Sequence, residues 1–253
     1  MFKNIKKLVW AFDAEWIPDP IAGRLLYKLP ADLPDSEVME EMWRKGGGTA
    51  EEPRPYLKTV LCRMVSIAAV QRHMNRDGWP VLHLLSLPRD LTDPEQIQER
   101  GIVGRFLHAL GERQPQLIGY NSIAADLRIL VQRGIVLGLT EPKFCQRPNK
   151  PWEGVDYFAK GSDYNIDLKE VTSLGWGTGS PSLNEIATLS GIPGKMEMDG
   201  LAVAPLWLEG HLDKIVAYNE MDAITTYLLW LRIAYFGGPK SRARVAQKRD
   251  QRE

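Results

Sequence analysis

Apolar and polar positions along the chain predict an α/β protein that begins with strands. The run LVWAFDAEW at residues 8–16 predicts a first strand over roughly residues 7–14. Two further apolar segments, CRMVSIAAVQR and WPVLHLLSL, predict strands that are separated by the turn sequence NRDG. We expect these three strands to form an antiparallel meander.

Helical periodicity dominates the remainder of the chain. The segment TDPEQIQERGIVGRFLHAL predicts one helix with Asp93 as its N-cap. The short apolar strand PQLIGYN precedes a helix predicted from Ser122 to Gly134, and residues 211–237 predict a long final helix. A strand meander followed by alternating strands and helices is typical of a mixed central sheet with helices on its faces.

The length of 253 residues favours one domain, which we place at residues 1–238. Residues 17–56 are polar and rich in proline, so they are interpreted as an insertion after the first strand, with one short helix near residues 36–45. Residues 239–253 are charged and poor in apolar side chains, so we expect a disordered C-terminal tail.

Composition narrows the classes of function. The formal net charge is zero, so a polyanionic partner would have to be recognised by a local basic lining or by metal ions. Two cysteines without CxxC spacing argue against a zinc site or a disulfide framework. No apolar run has the length of a membrane span and the N-terminus lacks a signal-peptide pattern, so we expect a cytoplasmic protein.

Four acidic residues lie within segments that are otherwise apolar. Asp13 and Glu15 share one face of the first strand, where two buried like charges repel each other. Taken singly, Asp126 has an ordinary explanation at the positive end of a helix, and Asp222 has one as a hydrogen-bond partner of Tyr218, four residues earlier. Together the four carboxylates can converge only around a cation. Oxygen ligands favour Mg²⁺ or Mn²⁺, and two such ions are typical of in-line displacement at phosphorus.

Three short motifs carry a resemblance to a known superfamily. FDAE at 12–15, GYNSIAAD at 119–126 and YNEMD at 218–222 resemble the three motifs of the DEDD 3′→5′ exonucleases, and the tyrosine of the third motif resembles the DEDDy branch. Further stretches, among them DLKEVTSLG and SLNEIATLSGIPGK, make the chain most similar to the predicted exonuclease family related to the proofreading domain of family B DNA polymerases. The resemblance covers most of residues 7–236.

The resemblance implies an RNase H-like exonuclease fold and two divalent cations, Mg²⁺ or Mn²⁺. It implies that Asp13 bridges both ions, that Glu15 and Asp222 complete the site of the ion that activates water, and that Asp126 holds the second ion. Tyr218 would orient the attacking water, because a tyrosine with an ordinary pKa near 10 is a poor base at pH 7.

Two more residues are candidates for substrate contacts, and one departs from the motif. Asn121 matches the asparagine of the second motif, and Lys195 is a candidate for a phosphate contact, although a solvated loop lysine is an equally good interpretation. The second motif usually has an aromatic residue before its aspartate, where this chain has Ala125. That difference bears on the local geometry of Asp126.

The resemblance implies hydrolysis at the 3′ end of a single strand, releasing nucleoside 5′-monophosphates, with DNA favoured over RNA. No polymerase domain fits in this length, so a role in repair or proofreading would require the domain to act alone or with a protein partner. Two alternatives stay open: an RNA-directed exonuclease, and a module that binds single strands or a partner without catalysis.

Overall fold

A mixed sheet lies at the centre of the molecule. The computed structural model describes residues 2–150, 152–174, 179–193 and 200–238. Within those residues the strands are β1 (Val9–Pro18), β2 (Cys62–Met74), β3 (Pro80–Leu87), β4 (Gln116–Gly119) and β5 (Asn165–Asp167). Their order is β3-β2-β1-β4-β5; β1 pairs antiparallel with β2, β2 pairs antiparallel with β3, and β1, β4 and β5 run parallel. The predicted meander and mixed sheet are confirmed.

Helices surround this sheet. They are α1 (Pro20–Tyr27), α2 (Asp35–Lys45), α3 (Pro94–Ile97), α4 (Glu99–Arg113), α5 (Asp126–Val136), α6 (Pro142–Cys145), α7 (Leu168–Ser173), α8 (Leu183–Leu189), α9 (Val203–Leu208) and α10 (Leu212–Phe236). The predicted final helix is confirmed as α10. In the part of the chain that the structure describes, no helix is long and apolar enough to cross a membrane.

The alternation of side chains along β1 decides what each face of the sheet buries. The even-numbered residues of 10–14 pack in one hydrophobic cluster with α4 and α5. Val9 and Ala11 point to the opposite face, where they pack with α10. Because side chains alternate with a period of two, Asp13 and Glu15 continue the face that α10 covers.

The helix predicted over residues 92–110 is interrupted. Gln98 has an extended backbone (φ −71°, ψ 137°) and separates α3 from α4. A side chain at Gly101 would place its Cβ 2.4 Å from a carbonyl oxygen of α3, so glycine permits the sharp corner. The buried Glu99 then faces inward and binds Arg133 of α5 with two hydrogen bonds of 2.7 and 2.6 Å.

The insertion contains one helix more than the sequence predicts. Helix α2 corresponds to the predicted helix near residues 36–45. Helix α1 was not predicted, although Asp19 accepts a hydrogen bond from the backbone of Ile21 and Pro20 occupies the first helical position, which are ordinary signals of a helix start. Arg133 also contacts the Asp19 carboxylate at 2.9 Å and ties this corner to α5. The predicted tail at 239–253 lies outside the described residues.

Candidate active site

Three carboxylates meet between β1 and α10. Asp13, Glu15 and Asp222 each offer an oxygen, and these oxygens all lie within 4.8 Å of one another. Glu15 is 8% exposed and Asp222 is 4% exposed, while Asp13 is partly exposed. Carboxylates this close and this poorly solvated repel one another unless positive charge is present.

Tyr218 lies one helical turn before Asp222 and faces the same cluster. Its side chain is 2% exposed, and its hydroxyl donates a hydrogen bond to the Asp222 carboxylate. Burial raises the pKa of Tyr218, and the charges of Glu15, Asp222 and Asp13 raise it further. The hydroxyl therefore stays protonated at neutral pH and donates to Asp222.

The fourth acid is reached through a turn that the sequence did not predict. Helix α5 begins at Asp126, not near Ser122, because Asn121 adopts a left-handed conformation (φ 62°) and its carbonyl oxygen accepts the backbone N–H groups of Ala124 and Ala125. The helix also continues past Gly134 to Val136.

Asp126 is joined directly to the strand that carries the first two acids. Its Oδ1 atom accepts a hydrogen bond of 3.2 Å from the backbone N–H of Ala14, the residue between Asp13 and Glu15. Asp126 therefore stands next to the group of three carboxylates rather than inside it. Ala125, which replaces the usual aromatic residue, leaves this link to β1 in place.

The surroundings of Asp126 raise the pKa of its carboxyl group. Burial raises the pKa of its carboxyl group to about 7, and the nearby charges of Asp167 and Asp222 also raise it, against the lowering effect of the Ala14 N–H. A cation beside this carboxyl group would favour its charged form and lower its pKa.

Asp167 is a functional candidate that sequence reasoning missed. Its carboxylate accepts three backbone N–H groups, from Asn121 at 2.8 Å, from Ile123 at 3.1 Å and from Lys169 at 2.9 Å. It thereby caps α7 and holds the turn that leads to Asp126. The aspartate directly before the helical segment LKEV was a usable signal for the cap, but nothing local indicates the turn that it holds.

The candidate substrate residues differ in what the structure places near them. Asn121 is partly exposed, and its Oδ1 atom accepts a hydrogen bond of 3.4 Å from Lys169 Nζ. Lys169 is therefore a cation beside Asn121, the residue predicted to contact the nucleic-acid strand. Lys195 lies outside the described residues.

The insertion packs against the same end of the site. Met39 and Trp43 of α2 share a hydrophobic cluster with Ile17 at the end of β1 and with Tyr218. The insertion therefore lies beside the acidic cluster, in contact with the tyrosine that faces it.

Comparison with known proteins identifies a family for the chain. A family model described as a predicted 3′-5′ exonuclease related to the exonuclease domain of PolB matches residues 54–252. The chain belongs to this family. Membership in this exonuclease family, with the mixed sheet and flanking helices, confirms the RNase H-like fold. Among curated proteins, none matches the chain.

The first motif of this family member lies outside the matched segment. Asp13 and Glu15 precede residue 54, whereas Asn121, Asp126, Tyr218 and Asp222 fall within the match. It is the pairing of β1 with its neighbours, and the packing of α10 across it, that brings the two N-terminal acids to Asp222.

Proposed function

We propose that the protein is a metal-dependent 3′→5′ exonuclease that hydrolyses phosphodiester bonds at the free 3′ end of a single strand and releases nucleoside 5′-monophosphates. The observation that carries the proposal is the group of three carboxylates within 4.8 Å, in a chain that belongs to an exonuclease family. Asp126, attached to the same strand through Ala14, supplies the fourth acid.

The residues present fit two divalent cations. Every candidate ligand is a carboxylate oxygen, which is the donor that Mg²⁺ and Mn²⁺ prefer over softer metals. Asp126 supports this fit, because burial raises the pKa of its carboxyl group and a cation beside it would favour the charged form. Asp13, Glu15 and Asp222 would hold one ion, and Asp126 with Asp13 would hold the other. When bound, such ions activate the attacking water and stabilise the leaving oxygen.

The protein's own groups would position the reactants. Tyr218 donates its hydroxyl hydrogen to Asp222, and a phenol oxygen can also accept a hydrogen bond, here from the attacking water. That contact would orient the water toward the phosphorus atom without removing its proton. The packing of Trp43 and Met39 beside Tyr218 would keep the ring in this position.

The recessed position of the acids supports action on a strand end. Glu15, Asp126 and Asp222 are each less than 9% exposed, so a phosphodiester group must enter the space between β1 and α10 to reach them. We propose that a single unpaired end enters this space and that the middle of a duplex does not. We favour DNA as the substrate, and RNA is the alternative to be tested.

The test is a time course on 5′-labelled single strands of DNA and RNA with the same sequence, in Mg²⁺, in Mn²⁺ and in excess chelator. We expect a ladder that shortens from the 3′ end in either metal and disappears in chelator. A circular single strand should resist, because it has no 3′ end. Strand binding without cleavage of either nucleic acid would exclude the proposal and leave the binding module.

Lys169 supplies a second prediction, on strand binding. Since the chain has no net charge, a cation beside Asn121 is a natural contact for a backbone phosphate. Replacing Lys169 by Met keeps the apolar stem and removes the charge. We expect weaker binding of a single strand in chelator, and a slope of log K against log salt concentration that is reduced by about 0.7, the value of one lost phosphate contact.

The matched control for this measurement is Lys143→Met. Lys143 is 63% exposed and pairs with Glu112 of α4, on the side of the sheet away from α10. It should leave the salt slope unchanged. Equal slopes for the wild type and Lys169→Met would show that Lys169 does not contact phosphate.

A further inference from the structure

A buried chain of hydrogen bonds runs from β2 through α10 to the acidic cluster. The Ser66 hydroxyl donates to Asn219 Oδ1 at 3.0 Å, and Asn219 Nδ2 donates to Asp13 Oδ2 at 2.8 Å. Ser66 and Asn219 are both 0% exposed. Ser66 lies opposite Glu15 in the pairing of β1 with β2. The hydrogen-bond chain therefore has Glu15 beside its first residue and Asp13 as its last.

The contact with Asp13 determines which way the Asn219 amide is turned. An ionised carboxylate only accepts hydrogen bonds, so the amide must present its NH₂ group to Asp13. The amide oxygen then faces Ser66, whose hydroxyl can rotate to donate to it. A flipped amide would place its oxygen against the Asp13 carboxylate and lose that hydrogen bond, although its NH₂ group could still donate to the Ser66 hydroxyl.

We propose that Asn219 is a positioning residue that holds the Asp13 carboxylate in the orientation in which it ligates a divalent cation. The inference rests on the proposed function, since it concerns the same site. Asn219 lies between Tyr218 and Asp222 in the third motif, but neither the motif pattern nor the predicted catalytic set assigns it a role.

The chemistry of an amide suits this task better than a charged donor would. A lysine or arginine at position 219 would also donate to Asp13, but its positive charge would neutralise the carboxylate and compete with the metal ion. The neutral amide restrains one oxygen of Asp13 and leaves the negative charge of the cluster in place. Partners that orient a metal ligand in this way contribute about 10- to 100-fold to metal affinity.

The competing explanation is that the hydrogen bonds between Ser66, Asn219 and Asp13 only fasten α10 to the sheet. In that case their loss would lower stability and leave the affinity of the site for metal unchanged. The two explanations can be separated by Asn219→Leu, which keeps the approximate size of the side chain, and by Ser66→Ala, which removes only the hydroxyl that donates to the amide oxygen. A matched control is Asn165→Leu. Asn165 is a buried asparagine of β5 whose Nδ2 donates to the Tyr157 carbonyl oxygen at 3.1 Å, within the cluster on the opposite face.

The experiment measures Mn²⁺ binding by calorimetry, the Mg²⁺ concentration that gives half-maximal cleavage, and the melting temperature of the metal-free protein. We expect Asn219→Leu to weaken Mn²⁺ binding and raise the half-saturating Mg²⁺ concentration by about 10- to 100-fold. Ser66→Ala should shift both in the same direction by less. Asn165→Leu should lower the melting temperature and leave both metal measurements at wild-type values.

The outcomes distinguish the inference from the proposed function. Wild-type metal affinity in Asn219→Leu and Ser66→Ala, with cleavage by the wild type, would overturn the positioning role and leave the exonuclease proposal standing. Weakened Mn²⁺ binding in both variants, with no cleavage by the wild type, would support the positioning role and overturn the exonuclease proposal. A wild type that binds no Mn²⁺ would overturn both. If Asn219→Leu does not fold, Ser66→Ala carries the same test.

Discussion

Replacing Asp13 by Asn is expected to abolish cleavage while leaving the fold intact. Asp13 belongs to the group of three carboxylates, and the backbone N–H of its neighbour Ala14 donates a hydrogen bond to Asp126. Asparagine keeps the shape and an oxygen that can accept the hydrogen bond from Asn219, but it removes the charge that a cation requires. Because partners that only orient a metal ligand are worth about 10- to 100-fold, loss of the ligand itself should cost more than about 100-fold in kcat/KM.

The same substitution should not destabilise the metal-free protein. Removing one of three clustered negative charges relieves repulsion, so the melting temperature of metal-free Asp13→Asn should equal or exceed that of the wild type. Mg²⁺ should raise the melting temperature of the wild type but not that of the variant, because only the native site binds the ion. A variant that still cleaves at more than a tenth of the wild-type rate would remove Asp13 from the proposed centre.

The control is Asp156→Asn, for which we expect the reverse of Asp13→Asn: lower stability and unchanged cleavage. Asp156 is a buried carboxylate away from the acidic cluster, and it accepts hydrogen bonds from the backbone of Phe158 and Ala159 and an ion pair from Arg147. Asp156→Asn should lower stability by about 1–3 kcal/mol, because an NH₂ group would replace the Oδ2 atom that pairs with Arg147, while the remaining oxygen can still accept the two backbone N–H groups. It should leave the cleavage rate unchanged.

The part of this site that the sequence predicted follows from short-range geometry. Asp13 and Glu15 share a face because strand side chains alternate, and Tyr218 meets Asp222 because residues four apart on a helix are neighbours. Both relations hold in the structure. The periodicity of β1 also indicated that the two acids would be poorly solvated, which was the reason to expect a cation.

The part that the sequence did not predict depends on contacts between distant segments. The turn at 121–125 replaces the start of a helix because Asp167, more than forty residues later, binds the backbone of Asn121 and Ile123. Helix propensity alone carries no information about that contact. The bond between Asn219 and Asp13 joins residues 206 positions apart, so it could not be expected from either motif.

The insertion shows another reason why the sequence did not predict the whole structure. Its proline-rich composition indicated irregular structure with one short helix, which is α2, and that helix buries Met39 and Trp43 against Ile17 and Tyr218. Helix α1 forms in addition. The stability of such short helices comes from packing more than from propensity. The apolar pattern of α2 was visible in the sequence, but the surface that it covers was not.

Tyr218→Phe is the second large effect that we expect, and it separates positioning from base catalysis. Phenylalanine keeps the ring that packs with the insertion and removes only the hydroxyl, which donates to Asp222 and can accept from water. Loss of one such oriented hydrogen-bonding group should lower kcat by about 100-fold, with little change in KM.

Because burial and the neighbouring carboxylates raise the pKa of Tyr218, its hydroxyl does not titrate below pH 10, and the pH–rate profile of the variant should keep the wild-type shape. Loss of an alkaline limb in the variant would instead show that Tyr218 ionises during turnover. The control is Tyr227→Phe, a buried tyrosine of the same helix that packs with Trp230 on the far side of the site, and it should cleave at the wild-type rate.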